Sequence, residues 1–315
     1  MTPEPLVSVI IPALNAASVI GETLASCLKQ TWSNLEIIVV DNGSNDGTLD
    51  VVHSLGAPSI RIFECARQGA SAARNFGTSR SKGDYIQYLD ADDVLSSSKI
   101  ETQLMRLRNQ DGRSIASGPW VRFEKIISEK EVAPEAVWCD IDPQGFLIRS
   151  WTGGGMMPIF AWLTPRRIIE ESGPWDETLT LDDDGEFITR VILKSSRILF
   201  CSGAIGYYRS TPLPSLSKAA SRQALLSGFC SVDRSASHLL CVRDDAETRR
   251  ACAYNYQRFA YAADPRYWDL VEKAERRVVE LGGCDMAPSG GKLFQVLSAI
   301  VGWKKARRLH AALRS

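Results

Sequence analysis

Short apolar runs alternate with amphipathic stretches over the first third of the chain. Leu6–Ile11, Leu35–Val40, Ile60–Phe63 and Tyr85–Leu89 read as buried strands. Val19–Gln30, Thr48–Leu55 and Gly69–Ser79, lying between them, carry helical patterns. Repeated βαβ predicts an α/β fold with a mainly parallel sheet and helices on both faces. Such sheets bind ligands at the carboxyl ends of their strands. Farther on, Ser97–Gln110 reads as a helix and Ile115–Val121 as a strand, while Glu124–Trp138 has a weak pattern that suits loop or irregular strand. A glycine-rich segment, Thr152–Met157, precedes the apolar run Pro158–Thr164. Pro165 opens a helix to about Glu171, Asp183–Leu193 reads as another helix, and Ile198–Tyr208 as a strand. After a proline-containing turn at Thr211–Ser215, roughly Ser221–Leu281 reads as wholly helical. A break at Gly282–Gly291 separates it from a last helix, Lys292–Arg314.

Composition narrows the class only a little. The 315 residues can bury a large core, and 44% hydrophobic with 23% charged residues is ordinary for a soluble globular chain. Zero formal net charge leaves no global field to draw in nucleic acid. The eight cysteines form no CxxC pair and there are three histidines, so zinc spacing is absent and reduced thiols in a cytosolic protein are the economical expectation. Neither a signal peptide nor a run of about 18 apolar residues is visible.

The chemistry-bearing motifs fall at strand ends. Tyr85-Ile-Gln-Tyr-Leu-Asp-Ala-Asp-Asp93 runs from an apolar strand into Asp90, Asp92 and Asp93, and strand period carries Asp90 and Asp92 to one side. Two hard oxygen donors there suit Mg²⁺ or Mn²⁺, with phosphates and water completing the shell. An acidic exit that caps the next helix is the alternative. Asp41-Asn-Gly-Ser-Asn-Asp-Gly-Thr48 is a tight polar loop. Asp41 ends a buried strand and needs donors, such as a pyrimidine imide N–H, while Asp46 suits the cap of the helix near Thr48. Gln68–Gly77 is a helix of small residues whose Arg74 has a donor fork suited to phosphate, or to a structural pairing. GxGxxG and GxxxxGK[ST] are absent. Lys292–Arg314 holds no acid and sets apolar residues at helical spacing ahead of Lys304, Lys305, Arg307 and Arg308. That pattern suits a membrane-surface element or a helix docked on its own protein.

Together these residues resemble the inverting family 2 glycosyltransferases of GT-A fold. Val7–Asn15 looks like their first strand and loop, and Val39–Thr48 is similar to their VVDDGSxDGT segment. Gly69–Gly77 resembles their GxxxARNxG helix, and Leu89–Asp93 their DxD metal motif. These blocks cover about the first 110 residues in order. Asp183–Arg190 is similar to the family's EDxEFxxR helix start, with Asp183 in place of Glu; the resemblance maps the general base onto Asp184, with Asp183 in reserve.

The resemblance implies a Rossmann-like GT-A domain over 1–215, with a nucleotide-sugar half at 1–110, an acceptor half at 111–215 and a helical extension at 216–315. It assigns the nucleotide sugar to Pro12, Ala13, Asn15, Asp41, Gly43, Ser44, Gln68, Arg74, Asp90, Ala91 and Asp92, and a divalent cation, Mn²⁺ or Mg²⁺, to Asp92 with Asp90. Trp151 and Trp162 flank mobile glycines that resemble the acceptor-side loop, so Trp151, Gly154 and Trp162 are acceptor candidates, with core packing as the alternative for each tryptophan. Trp175 occupies the place of a family aromatic and reads as packing. The expected reaction moves a sugar from a nucleotide diphosphate sugar, with UDP favoured through Asp41, to a glycan or lipid-linked hydroxyl. Cell-surface polysaccharide synthesis, in the cytoplasm or on the inner membrane face, is the expected setting. A sugar-nucleotide-forming nucleotidyltransferase is the alternative, but it would want a glycine-rich basic loop where Pro12–Ala17 stands. A non-catalytic carbohydrate-binding module is the other.

Overall fold

The computed structural model describes residues 4–124, 133–210, 221–288 and 291–312. The proline-containing turn and much of the weakly patterned 124–138 stretch lie outside these residues. Four parallel strands form the centre: β1 (Val7–Ala13), β2 (Leu35–Asp41), β3 (Ile60–Glu64) and β4 (Tyr85–Tyr88), in the order β3-β2-β1-β4. Helices α1 (Ile20–Leu28), α2 (Thr48–Ser54) and α3 (Ala70–Arg80) make the crossovers. The expected elements are therefore present with ends shifted by a few residues.

Side chains of β1 show why the sheet needs cover on both faces. Val7, Val9, Ile11 and Ala13 enter one core with α1 and α4 (Lys99–Leu107), whereas Ile10 enters the other. Helix α3 lies close against the sheet because its residues are small. A β-carbon on Gly77 would stand 2.6 Å from the Ile10 side chain.

The strands of the second half depart from expectation in three places. The strand expected at Ile115–Val121 is two strands, β6 (Ser114–Ser117) and β7 (Trp120–Phe123), and two-residue β5 (Val94–Leu95) precedes them. The strand expected at Ile198–Tyr208 likewise divides into β9 (Arg197–Phe200) and β10 (Gly206–Arg209). Both breaks occur together: β6 pairs parallel with β9, β7 pairs parallel with β10, and between them Gly118 faces Ala204 so closely that a β-carbon would lie 2.1 Å from its carbonyl oxygen. Pro165 does not begin a helix but pairs with Tyr85 in β8 (Thr164–Pro165), an antiparallel edge beside β4, and α6 (Arg166–Ser172) follows.

Helices α5 (Pro143–Arg149) and α7 (Asp183–Lys194) cover the remaining face. Of three further helices, α8 (Arg222–Val242) packs on α7, α9 (Ala246–Ala262) on α5, and α10 (Trp268–Glu280) on α8 and α9, and one apolar core runs from Ile10 and Ile86 through Phe187 to Leu239 and Tyr256. Buried Glu186 binds Arg190 at 2.8 Å and His238 at 3.2 Å, which fastens α7 to α8. The last helix is two, α11 (Lys292–Val301) and α12 (Trp303–Ala312), parted at Gly302. Another unforeseen feature is Lys99, wholly buried with its ammonium on Gln87 and, at 2.7 Å, Gln103. Those amides in turn hold the Phe160 and Ala161 carbonyls at 2.9 and 2.8 Å.

Candidate active site

At the carboxyl end of the sheet, the loops after β1 and β2 are laced together. Ala13 stands in register with Asp41, and the Asn42 amide donates to the Ala13 carbonyl at 2.8 Å. The Asn15 amide donates to Ser44 Oγ at 2.9 Å, and Asn15 Oδ1 accepts from the Asn45 amide at 2.9 Å. Asp46 joins this lacing: it accepts from the Ala17 amide at 3.0 Å and the Thr48 amide at 3.1 Å, so its helix-start role is combined with a loop tie. The Asp41 carboxylate accepts the Gly43 and Ser44 amides on Oδ2, both at 3.1 Å, whereas Oδ1 is buried with no partner. A buried acceptor left open costs on the order of 1–3 kcal/mol, so it marks a place where a ligand donor would be welcome. Pro12 and exposed Gln68, whose amide lies over Gly43, border the same corner. Asn42 is a residue the sequence reading missed. Its side chain donates to the Cys65 and Arg67 carbonyls and accepts from the Gly69 amide, pinning the β3–α3 loop beside Asp41.

The acidic segment is a turn rather than a strand end. β4 stops at Tyr88, and the Asp93 amide closes a turn onto the Asp90 carbonyl at 3.2 Å. Strand periodicity therefore does not govern Asp90 and Asp92, a correction that follows from the loss of extended backbone. Asp93 is buried and accepts the Arg209 amide at 2.9 Å. The Arg209 side chain donates to the Asp92 carbonyl at 2.7 Å and pairs with Glu22, and the Ala91 carbonyl accepts from Thr23 at 2.8 Å. Asp92 is pushed up to about 6 by burial and by neighbouring Asp90.

Arg74 sits at the centre. Its side chain is 7% exposed, its guanidinium lies 4.4 Å from the Trp175 ring centroid, and it donates to Asp90 at 2.8 Å and Asp183 at 3.0 Å. Burial opposes its charge, and Asp90 with Asp183 more than compensates, so its pKa is raised. Both arms of the fork are thus engaged by protein carboxylates, not left open for phosphate as expected. Trp175 is packing as expected, stacked on Phe187 at 4.1 Å.

The two aspartates at the start of α7 differ in their surroundings. Asp183 Oδ2 accepts from Ser71 Oγ at 2.6 Å as well as from Arg74. Asp184 accepts only the Gly185 amide, at 3.0 Å, among the described residues. Burial first, and then Asp183, push Asp184 up to about 6. Asp182, before them, adopts φ 59° and is held by Ser231 Oγ at 2.6 Å on its carbonyl and 2.8 Å on its carboxylate.

The glycine-rich segment is tied down, contrary to the mobility expected. Ser150–Gly154 forms a wide turn; Gly153 within it and Gly155 just after it have φ of 100° and 115°, values that exclude most side chains. Ser150 Oγ donates to the Gly155 carbonyl at 2.8 Å, the Gly154 carbonyl accepts from the Val137 amide at 3.1 Å, and Arg258 of α9 donates to the Trp151 carbonyl at 2.5 Å. Trp151 and Trp162 belong to the core, Trp162 edge-on to Phe146 at 5.3 Å, so neither presents a ring face to a ligand. The acceptor role expected of them is corrected by this burial.

No cluster of three His, Cys, Asp or Glu side chains suited to a metal ion occurs among the described residues. Asp90 and Asp92 nevertheless fit the part of a two-carboxylate holder: one is half-open beside Arg74, and the other carries a charge that burial disfavours.

Comparison with known proteins bears on the family and the fold. The sequence pattern described as Glycosyl transferase family 2 matches residues 8–167. An uncharacterized glycosyltransferase of Haemophilus influenzae is 38% identical over 103 residues, 32% of this chain and 41% of that one. Glycosyltransferase GlyG of Streptococcus pneumoniae is 34% identical over 123 residues, 38% of this chain and 40% of that one. The matched segments thus span about two fifths of each relative. S. aureus TarS 1-349, solved in complex with UDP-GlcNAc, superposes with a TM-score of 0.63 at 14% identity over 88% of this chain and 89% of that one. Mannosyltransferase PcManGT from Pyrobaculum calidifontis, in complex with GDP-Man and Mn2+, gives 0.54 at 17% identity over 98% and 84%. Both likenesses concern the fold, a GT-A architecture with a helical C-terminal region. On the family pattern that covers half of its length, the chain belongs to glycosyltransferase family 2.

Proposed function

We propose that the protein transfers a sugar from a UDP-sugar to a hydroxyl of a glycan or lipid-linked acceptor, with a divalent cation and inversion at the anomeric carbon. The observation that carries this is the Arg74 bridge, which ties Asp90 of the acidic turn to Asp183 at the start of α7 and so places the two motifs at one mouth. Asp41 Oδ1, a buried acceptor without a donor, favours a base with an imide N–H, hence uracil. Asp92, with Asp90, would hold the metal, which when bound stabilises charge on the departing diphosphate. Arg74 keeps Asp90 and Asp183 from repelling one another. Asp183 is occupied by Arg74 and Ser71, which leaves Asp184 as the group free to take the proton of the attacking hydroxyl. Attack from that side needs no covalent intermediate.

The test is turnover of a panel of UDP- and GDP-sugars with and without Mn²⁺. UDP-sugar turnover that vanishes with chelator and in Asp92→Ala supports the reading. Turnover untouched by both removes the metal role, and a GDP preference removes the uracil assignment.

We also place the enzyme at a membrane surface through α11. No described helix is long and apolar enough to cross a membrane. α12 docks on the protein: Ala306 is fully buried, Lys304 pairs with Glu275, and Arg307 donates to the Tyr261 carbonyl. On α11, Val296 and Ile300 are 57% and 73% exposed, and no acid follows Asp285. Val296→Glu with Ile300→Glu should abolish flotation with anionic vesicles; undiminished flotation removes α11 from this role.

A further inference from the structure

Beyond the catalytic motifs, the small sheet of β5, β10 and β7 carries an arginine for which the mechanism has no use. Register pairs Gly206 with Trp120 and Tyr208 with Arg122, so Trp120, Arg122 and Tyr208 share one face. The Arg122 guanidinium lies 4.8 Å from the Tyr208 ring centroid and 5.5 Å from that of Trp120. It is exposed, its hydrogen-bond partner is Ser210 Oγ at 3.3 Å, and no carboxylate pairs with it among the described residues. Stacking uses the face of a guanidinium and leaves its in-plane N–H fork open for a two-oxygen anion.

The platform adjoins the site at both ends. Trp120 and Tyr208 pack in the same cluster as Ala91 of the acidic turn, and the Tyr208 hydroxyl is raised by burial and by Asp93, Asp92 and Asp90. The Trp120 indole donates to the Met156 carbonyl at 3.1 Å, at the end of the glycine-rich segment. A saccharide lying between the acidic turn and that segment would therefore meet two aromatic rings and one open cation.

We propose that Trp120, Arg122 and Tyr208 form a subsite for an anionic pyranoside, with Arg122 chelating its carboxylate or phosphate. The inference rests on the sugar-transfer reading and names its substrate class. Saturation-transfer NMR on the full chain with UDP and Mn²⁺ tests it, using methyl β-glucuronide, glucose 6-phosphate and neutral methyl β-glucoside as probes. One anionic probe should show at least about fivefold stronger transfer than the glucoside, the responding probe identifying carboxylate or phosphate. Arg122→Ala should bring it down to the glucoside level, while Trp120→Phe, which keeps a ring, should retain it. Equal signals from all three probes, or a signal unchanged in Arg122→Ala, overturn the subsite. UDP signals in the same spectra separate the two ideas: UDP bound without anionic selectivity defeats the subsite alone, whereas no UDP signal defeats the donor reading and the subsite with it.

Discussion

The donor corner and the opposite wall of the site are held by different kinds of contact. Around Asp41, the ties run between or within two adjacent loops and use backbone amides: Asn15 to Ser44 and Ala17 to Asp46 across them, Gly43 and Ser44 to Asp41 within one. The α7 wall is held by side chains from far along the chain. Ser71 reaches Asp183 across 112 positions, and Arg258 reaches Trp151 across 107. The first kind of tie needs a short side-chain acceptor within the same two loops, whereas the second needs a partner from a distant part of the chain. Substitutions on the two sides should therefore fail differently, the first in ligand affinity and the second in folding or proton transfer.

The largest effect is expected at Asp184. Asp184→Asn should lower kcat by about 10³-fold, within the range for loss of a general base, while calorimetry shows UDP binding unchanged. In the wild type kcat/KM should rise with pH through about 6, because the base works deprotonated, and level off above. A profile flat from pH 5 to 8 would remove Asp184 as the base.

Arg74→Met should cost about 3–5 kcal/mol in chemical denaturation, since it leaves Asp90 and Asp183 without their buried cation. Asp183→Asn, which keeps an acceptor for Ser71, should cost less. If the order is reversed, the charge balance across Arg74 is misread. On the donor side, Asp41→Asn should weaken UDP by roughly tenfold, about 1.4 kcal/mol, with little change in stability. An unaltered Kd would detach Asp41 from the base.

Lys99 gives the most graded effect. Burial lowers its pKa from 10.5 to about 7, so between those values the unfolded chain binds more protons than the folded one. Stability should climb with pH across that window, by at most about 1.4 kcal/mol per unit from this group, and Lys99→Met should flatten the climb. Denaturation midpoints at pH 7, 8 and 9 measure it.

The same contrast explains what could be read in advance. The βαβ order, the polar loop at Asp41 and the acidic segment at Asp90 are local patterns, and each lies where it was expected. Partnerships across about a hundred residues leave no local trace: the Arg74 fork read as open for phosphate because Asp183 is far away in sequence. Trp151 and Trp162 look alike whether they face ligand or core, and only packing decides. Lys99 had no visible signal, since the amides that receive it are four and twelve positions away and ordinary in themselves. Asn42 was within reach, because a buried asparagine beside Asp41 must spend its donors and acceptor on neighbouring backbone.

The contact between Gly118 and Ala204 has a consequence for how this protein can diversify. Two strand pairs that travel side by side are pinched at one point with no room for another atom, so whatever happens beyond it happens to both. The ribbon past the pinch delivers Arg209 to the acidic turn and sets Arg122 against Trp120 and Tyr208. Its surface can be repainted while its alignment stays fixed, much as a hinge pin lets a door be replaced without moving the frame.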